Sequence, residues 1–228
     1  MWDQRAQRAR LLAERYQASR EILVFYDGLA SWQGRIAARD LDSMKCFFPS
    51  LLELVIRTGP ADLADAARKL DSTQFDQIVH NYWDAPGVFS ELEFFARALL
   101  QPYASSFPEG LDCPWCRQPP QVGCLHTQGD GLAFTIVCPL CLRRRAFPRT
   151  RCPGCDESSE KKLANYSTPE FPHLRLQACD TCRGYLMIVD LSSDTAAIPE
   201  VDELAGLPLD LWAIQEGFHK LQPNLAGI

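Results

Sequence analysis

Four Cys-x-x-Cys pairs in the second half of the chain constrain its fold more than any other feature. They are Cys113/Cys116, Cys138/Cys141, Cys152/Cys155 and Cys179/Cys182. A two-residue gap lets both sulfurs of a tight turn face one metal ion, and two such pairs with about 15 to 20 residues between them are typical of a zinc site. The intervals 117–137 and 156–178 are close to this length, whereas 142–151 is too short for a comfortable hairpin. We therefore predict two tandem sites, formed by the first two pairs and by the last two.

Each long interval has room for two strands joined by a turn. Gly-Asp-Gly at 129–131 divides β-like runs at 122–125 and 133–137, and a weaker turn signal at 168–172 divides the second interval. Another β-like run follows at 185–189. We expect two tandem units of the rubredoxin-like or zinc-ribbon kind.

Four thiolates around one ion form a closed tetrahedral shell, which leaves no position for water or substrate. Such a site disfavours Lewis-acid hydrolysis. The sequence also has no Gly-rich phosphate loop, HExxH motif or nucleophile elbow. We therefore expect two metal ions, iron or zinc, one per four-cysteine site, and no catalytic residues. The ligand set suits either metal, so both remain open.

Two cysteines and two histidines of interest lie outside the predicted ligand sets. Cys46 and Cys124 lie outside the pairs and are interpreted as buried apolar residues, with a redox thiol as the alternative. His126 and His173 lie inside the hairpins and could replace a ligand, but each site already has four cysteines.

Residues 1–103 contain a single cysteine and carry apolar residues at helical spacing. A stripe over residues 12–30 predicts one first helix, and Pro49 and Gly59 mark the limits of the second. Further helices are expected over 60–70, from a cap at Asp71 or Ser72 to Pro86, and from about Val88 to Pro102.

The predicted fold is α+β, with an N-terminal helical bundle, two tandem metal-binding units and a C-terminal helix. A linker is expected at 104–112, and helical spacing returns over 201–218 despite Pro208. The predicted domains are 1–108, 109–148, 149–198 and 199–228. With 46% hydrophobic residues, the chain can bury a core that does not depend on metal alone. On this division, removal of metal is expected to unfold the cysteine-rich part and leave the helices folded.

The N-terminal residues are polar and mixed in charge from the third residue, unlike a secretory signal. We therefore expect a reducing, cytoplasmic location, where clustered cysteines bind metal instead of forming disulfides. No segment reaches the roughly 20 apolar residues of a membrane-spanning helix, so no membrane contact is expected.

The net charge of -6 and the isoelectric point of about 5.3 argue against nucleic-acid binding. Each divalent ion held by four thiolates leaves its site with a charge of roughly -2, which makes the net charge of the protein more negative. One basic run lies between the two units and comprises Arg143, Arg144, Arg145, Arg149 and Arg151. It is interpreted as a solvated face that balances metal-thiolate charge, with a partner-binding patch as the alternative.

The pattern of the C-terminal half resembles the formate dehydrogenase accessory protein family, FdhE. The resemblance rests on the four pairs, on the CxxCxxYL pattern at 179–186, and on an acidic ending with Asp202, Leu204, Ala205, Leu207, Leu209, Asp210, Gln215, Glu216, Gly217 and Phe218. Three positions depart from the family pattern. Arg117 and Arg183 stand where glycine often follows a cysteine pair, and Met187 stands where lysine is expected. Glycine tolerates a positive φ and arginine does so poorly, so the turn geometry is expected to differ there.

The resemblance implies a cytoplasmic maturation factor with rubredoxin-like iron sites that contacts the catalytic subunit of formate dehydrogenase. The cysteine-rich half is the expected contact surface, with Trp115, Tyr185 and the basic run presented to the partner. Two other functions remain open, a tandem zinc-ribbon nucleic-acid-binding protein and a rubredoxin-like electron carrier.

Overall fold

The chain folds into helices, then a sheet, then two further helices, and its computed structural model describes residues 1–37, 40–85, 92–108, 113–225 and 227. The helices are α1 (Trp2–Arg15), α2 (Arg20–Ile36), α3 (Leu41–Met44), α4 (Phe48–Thr58), α5 (Ala61–Arg68), α6 (Phe75–Asp84), α7 (Glu93–Ser105), α8 (Pro199–Ala205) and α9 (Leu207–Gln215). The strands are β1 (Val122–Gln128), β2 (Gly131–Val137), β3 (Arg144–Ala146), β4 (Leu163–Tyr166), β5 (Leu174–Cys179), β6 (Gly184–Asp190) and β7 (His219–Lys220). The predicted α+β fold is confirmed.

The apolar stripe over residues 12–30 lies on two helices and not on the single helix predicted. α1 ends because Tyr16 adopts an extended conformation, with φ -115° and ψ 91°, and a turn at Gln17–Ser19 follows. Ser19 is buried there, and its hydroxyl donates a 2.7 Å hydrogen bond to the Ala205 carbonyl. The prediction of one continuous helix is wrong, but the stripe stays buried because the two helices face the same core.

Local capping chemistry sets two of the predicted boundaries. α4 carries Pro49 in its first turn and ends at Gly59, as predicted. Asp71 caps the turn that precedes α6, and the side-chain oxygen of Gln74 accepts a hydrogen bond from the Asp71 backbone N–H. This reciprocal pair satisfies backbone donors that a helix start otherwise leaves without partners.

α7 continues through Pro102, where the sequence predicted that it would end. Proline has no N–H, so the Ala98 carbonyl loses its usual helical partner. The side-chain amide of Gln33 in α2 donates a 3.0 Å hydrogen bond to that carbonyl. A tertiary contact therefore compensates for the proline. The predicted helix limits at Pro86 and Val88 lie outside the described residues.

The strands of both cysteine units lie in one seven-stranded sheet, in the order β3-β2-β1-β6-β5-β4 with β7 beside β6. β1 and β2 form the predicted hairpin, and Gly129 in its turn has a positive φ of 56°. β5 pairs antiparallel with β4 and with β6. Parallel pairing of β1 with β6 joins the two units. The domain boundaries given above stay predictions.

One cluster of buried apolar residues contains side chains from the helices and from both units of the sheet. It includes Leu23, Phe95, Val122, Met187 and Val201. A smaller cluster covers the opposite face of the sheet and comprises Leu125, Phe134, Ile136, Leu186 and Ile188. The helices and one face of the sheet therefore share a core. Within the described ranges, no helix is both long enough and apolar enough to cross a membrane.

Candidate metal centres

The first two cysteine pairs meet at one end of the β1–β2 hairpin. Cys113 precedes a short helical turn before β1 and Cys116 lies within that turn, while Cys138 and Cys141 lie just after β2. The four sulfur atoms lie within 4.8 Å of one another. The Cys113 and Cys138 sulfurs are 3.9 Å apart, and the Cys116 and Cys141 sulfurs are 3.5 Å apart.

The last two pairs form a second cluster of the same kind. Cys152 and Cys155 precede β4, Cys179 is the last residue of β5, and Cys182 lies between β5 and β6. Their sulfur atoms also lie within 4.8 Å of one another, with Cys152–Cys182 and Cys155–Cys179 distances of 3.7 Å. Four sulfurs placed tetrahedrally about 2.3 Å from one ion lie about 3.8 Å apart. The geometry of both clusters therefore fits a closed tetrahedral shell, and each can hold one metal ion.

Three of the four cysteine turns place a left-handed residue directly after their second cysteine. These residues are Leu142, Asp156 and Arg183, with φ of 59°, 63° and 59°. A residue other than glycine in this conformation costs roughly 1–2 kcal/mol. Arg183 is held there by tertiary contacts, because its guanidinium lies 3.8 Å from the Phe218 ring centroid and donates a 2.6 Å bond to the Glu216 carbonyl.

The first turn has a different geometry, as its arginine led us to expect. Arg117 ends the helical turn Pro114–Arg117 and has no positive φ. The arginine in place of glycine therefore goes with a changed backbone conformation at Arg117, whereas Arg183 keeps the left-handed conformation. The expected difference holds for one of the two arginines.

Neighbouring thiols shift the pKa values within the first cluster in opposite directions. Hydrogen bonds from the thiols of Cys138 and Cys141 lower the pKa of Cys113 to about 4. Hydrogen bonding to Cys113 and Cys141, together with burial, raises the pKa of Cys138. The cluster thus stabilises one thiolate by donation from its neighbours. A divalent cation supplies stronger stabilisation and displaces the remaining protons.

The two clusters differ in exposure and in what surrounds them. In the first, Cys113, Cys138 and Cys141 are buried and belong to the main core. Trp115, between the first two cysteines, stacks on Tyr82 of α6 with ring centroids 4.2 Å apart. The second cluster has its own small core around Leu163, and Cys155 is exposed. The first site is therefore fixed to the helices, whereas the second is open to solvent at Cys155.

Several residues singled out in the sequence lie elsewhere than expected. Trp115 and Tyr185 are fully buried, so the expectation that they face a partner is wrong. Cys124 is buried as interpreted, and burial raises the pKa of its thiol to about 12, which makes it inert. Cys46 is exposed and contacts the Ser43 carbonyl, so its interpretation as a buried residue is wrong.

His173 lies beside two carboxylates instead of a cysteine cluster. Its Nε2 is 3.0 Å from Asp202, and Asp194 completes a His-Asp-Asp group. Arg8 of α1 reaches both carboxylates, with a 3.0 Å bond from its Nε to Asp202 and a 2.5 Å bond to Asp194. Because the guanidinium pairs with both carboxylates, the group is an ion-pair network that holds α1 against α8.

A second buried network of charged side chains has no signal in the sequence. The ammonium group of Lys220 lies 3.1 Å from Glu203 and 3.2 Å from Asp210, and all three side chains are at most 4% exposed. The Tyr185 hydroxyl donates a 2.8 Å bond to Asp210, and the Gln121 amide donates to Glu203. Burial raises the pKa of Glu203 to about 7, although Lys220 opposes this shift.

The fold and the two clusters define a class of protein in which a helical part packs against two tandem four-cysteine units. Residues 150–226 match the family described as "FdhE, C-terminal domain". An FdhE homologue from Aquifex aeolicus is 28% identical over 199 residues, 81% of this chain and 70% of the relative. One from Pseudomonas putida is 34% identical over 119 residues. The resemblance to the FdhE family is therefore confirmed, with the family model matching the C-terminal part of the chain.

A crystal structure of the FdhE protein from Pseudomonas aeruginosa has the same fold. Its TM-score to this chain is 0.69 at 23% identity, covering 99% of this chain and 94% of that one. Sequence matches to other curated relatives are shorter. They span 37% of the Pseudomonas putida protein and 59% of the Haemophilus ducreyi protein.

The purified protein is expected to bind two ions per chain, and a chelator should remove the ion of the second site first. The physical reason is access, because Cys155 is exposed whereas Cys138 and Cys141 are 5% and 2% exposed. Elemental analysis gives the ion count, and a chromogenic chelator follows release over time. Cys155→Ser should abolish the fast phase and leave one ion. A count near one per wild-type chain, or a fast phase that survives in Cys155→Ser, contradicts the assignment.

Proposed function

We propose that this chain is a cytoplasmic accessory protein that binds the catalytic subunit of a formate dehydrogenase and supports its maturation. The observation that carries the proposal is the pair of closed four-cysteine clusters in a chain that resembles FdhE proteins. A closed shell offers no coordination position to a substrate. Binding of a partner is the function that such rigid units perform well, because little side-chain ordering is needed on association.

The cysteine-rich half is the proposed contact surface, and its basic run supplies the exposed charges. Arg144 and Arg145 are exposed on β3. Arg143 has a different role, because its guanidinium donates to the carbonyls of Phe107 and Pro108. It therefore ties the end of the helical part to the sheet, and a test of the surface should leave Arg143 unchanged.

Capture of the purified catalytic subunit by this chain is expected to fall at least about tenfold in Arg144→Glu/Arg145→Glu, because charge reversal opposes a complementary surface. The matched control is Arg20→Glu/Arg57→Glu, which reverses two exposed arginines on helices α2 and α4. The control should capture the subunit as the wild type does. Metal content and far-UV circular dichroism are measured for every variant. Failure of the wild type to capture the subunit removes the client, and equal loss in both double variants removes the cysteine-rich half as the contact surface.

Electron transfer is the second candidate function, and the exposed Cys155 favours it. An electron carrier needs iron at a site that a partner can approach, and the second cluster meets the requirement for access. The visible spectrum of the purified protein tests this function. Ferric thiolate absorption that bleaches reversibly with dithionite supports it, and a colourless protein with two zinc ions contradicts it.

A further inference from the structure

The outer edge of β3 is an open strand edge. β3 ends the strand order of the sheet and pairs only with β2 among the described residues. All three of its residues are exposed, and no other strand of the described part of the chain pairs with its outer edge. Edge strands with free backbone groups pair readily with another chain unless they are protected.

The register of β3 shows which backbone groups face outward. Arg145 lies opposite Ile136 of β2. Flanking bonds run from the Cys138 N–H to the Arg143 carbonyl at 3.0 Å and from the Phe147 N–H to the Phe134 carbonyl at 3.2 Å. Because hydrogen-bonded pairs alternate along an antiparallel ladder, Arg145 directs its backbone groups toward β2. The N–H and C=O groups of the residues on either side of it, Arg144 and Ala146, therefore point away from the sheet.

The side chains at this edge carry positive charge without intramolecular partners. Arg144 and Arg145 form no ion pair with any residue in the described ranges. Successive side chains of a strand point to opposite faces, so one guanidinium lies on each face of the sheet. The chain as a whole has a net charge of -6, so the two guanidinium groups give this edge a charge opposite to that of the whole chain.

We propose that an extended acidic segment of the client adds to the sheet as a further strand along the outer edge of β3. The inference rests on the proposed function and specifies how the client is held. Backbone groups of the segment pair with those of Arg144 and Ala146. Two consecutive acidic residues lie opposite Arg144 and Arg145, one on each face, where cross-strand side chains are close enough to pair.

The rival ligand for a basic edge is nucleic acid, and the geometry favours the peptide. A phosphate backbone uses the guanidinium groups but has no pattern of donors and acceptors that matches a strand edge. Two free arginines also supply few of the phosphate contacts that sequence-independent binding requires. Binding of a peptide strand therefore requires the outward N–H of Ala146, whereas binding of nucleic acid does not.

Ala146→Pro is the decisive variant, because proline removes this outward N–H while leaving the charges in place. Edge strands tolerate proline where the N–H faces solvent, so the bonds between β3 and β2 stay intact. Ala146→Val is the matched control, since it keeps the N–H and favours strand geometry. Binding of the purified catalytic subunit is measured by biolayer interferometry at low and high salt. Metal content and thermal midpoint confirm that each variant is folded.

The expected result is that Ala146→Pro and Arg144→Glu/Arg145→Glu each weaken binding about tenfold or more, and that Ala146→Val binds as the wild type does. Salt should weaken wild-type binding. If charge reversal weakens binding and Ala146→Pro does not, strand addition is overturned while the proposed function stands. Recognition through the guanidinium groups alone, as a phosphate backbone would use them, gives this result. Loss in Ala146→Pro alone overturns the acidic character of the segment. No loss in either variant overturns the inference, and no binding by the wild type overturns the proposed function itself.

Discussion

Replacing Cys138 and Cys141 by serine is expected to unfold the whole chain, including its helices. The apparent free energy of metal binding to a four-cysteine site is about 10 kcal/mol or more, and it is largely folding free energy. A domain has only about 5–15 kcal/mol of net stability. Both cysteines lie in the main core with helical side chains such as Leu99, and Trp115 of the same site stacks on Tyr82. Loss of this site therefore removes support from the helices directly.

The second site provides the control, because its cysteines have a separate small core. Cys155→Ser/Cys182→Ser removes two ligands as well, but the chain is expected to keep most of its far-UV circular dichroism at 222 nm and one bound ion. Circular dichroism, elemental analysis and guanidinium titration check both double variants. Helices that survive loss of the first site, or that are lost equally from both variants, contradict this asymmetry.

This expectation replaces the simpler one drawn from the sequence. Treating the helices and the cysteine-rich part as separate units predicts that chelation leaves the helices folded. Because the first site shares a core with the helices, the helices are expected to stay folded only when metal is lost from the second site.

The grouping of the cysteines could be predicted because it depends on local spacing. Two residues between cysteines and a hairpin-length interval bring four sulfurs together without help from distant segments. The helix limits at Gly59 and Asp71 were predictable for the same reason, since capping uses neighbouring residues.

Features that depend on distant partners could not be predicted. The passage of α7 through Pro102 depends on Gln33, which lies far away in sequence. The parallel pairing of β1 with β6 has no local signature, because each strand is a normal hairpin strand in its own unit. The burial of Lys220 in β7 has no local signature either, since its partners Glu203 and Asp210 belong to helices α8 and α9.

Lys220→Met is expected to destabilise the protein by about 3–5 kcal/mol, because removing one partner of a buried ionic group leaves the others uncompensated. The ammonium group serves both Glu203 and Asp210, and their side chains are 0% and 1% exposed. Asp210 keeps the bond from Tyr185 and Glu203 keeps the bond from Gln121, but neither donor supplies a positive charge. Urea unfolding followed by intrinsic fluorescence measures the loss.

Two comparisons separate this electrostatic cause from lost packing. Lys220→Met/Glu203→Gln/Asp210→Asn removes all three charges together and should recover most of the lost stability, since replacing a whole buried ionic group is often close to neutral. Lys45→Met breaks an exposed pair with Asp76 and should change stability little. A triple variant as unstable as Lys220→Met contradicts the electrostatic explanation.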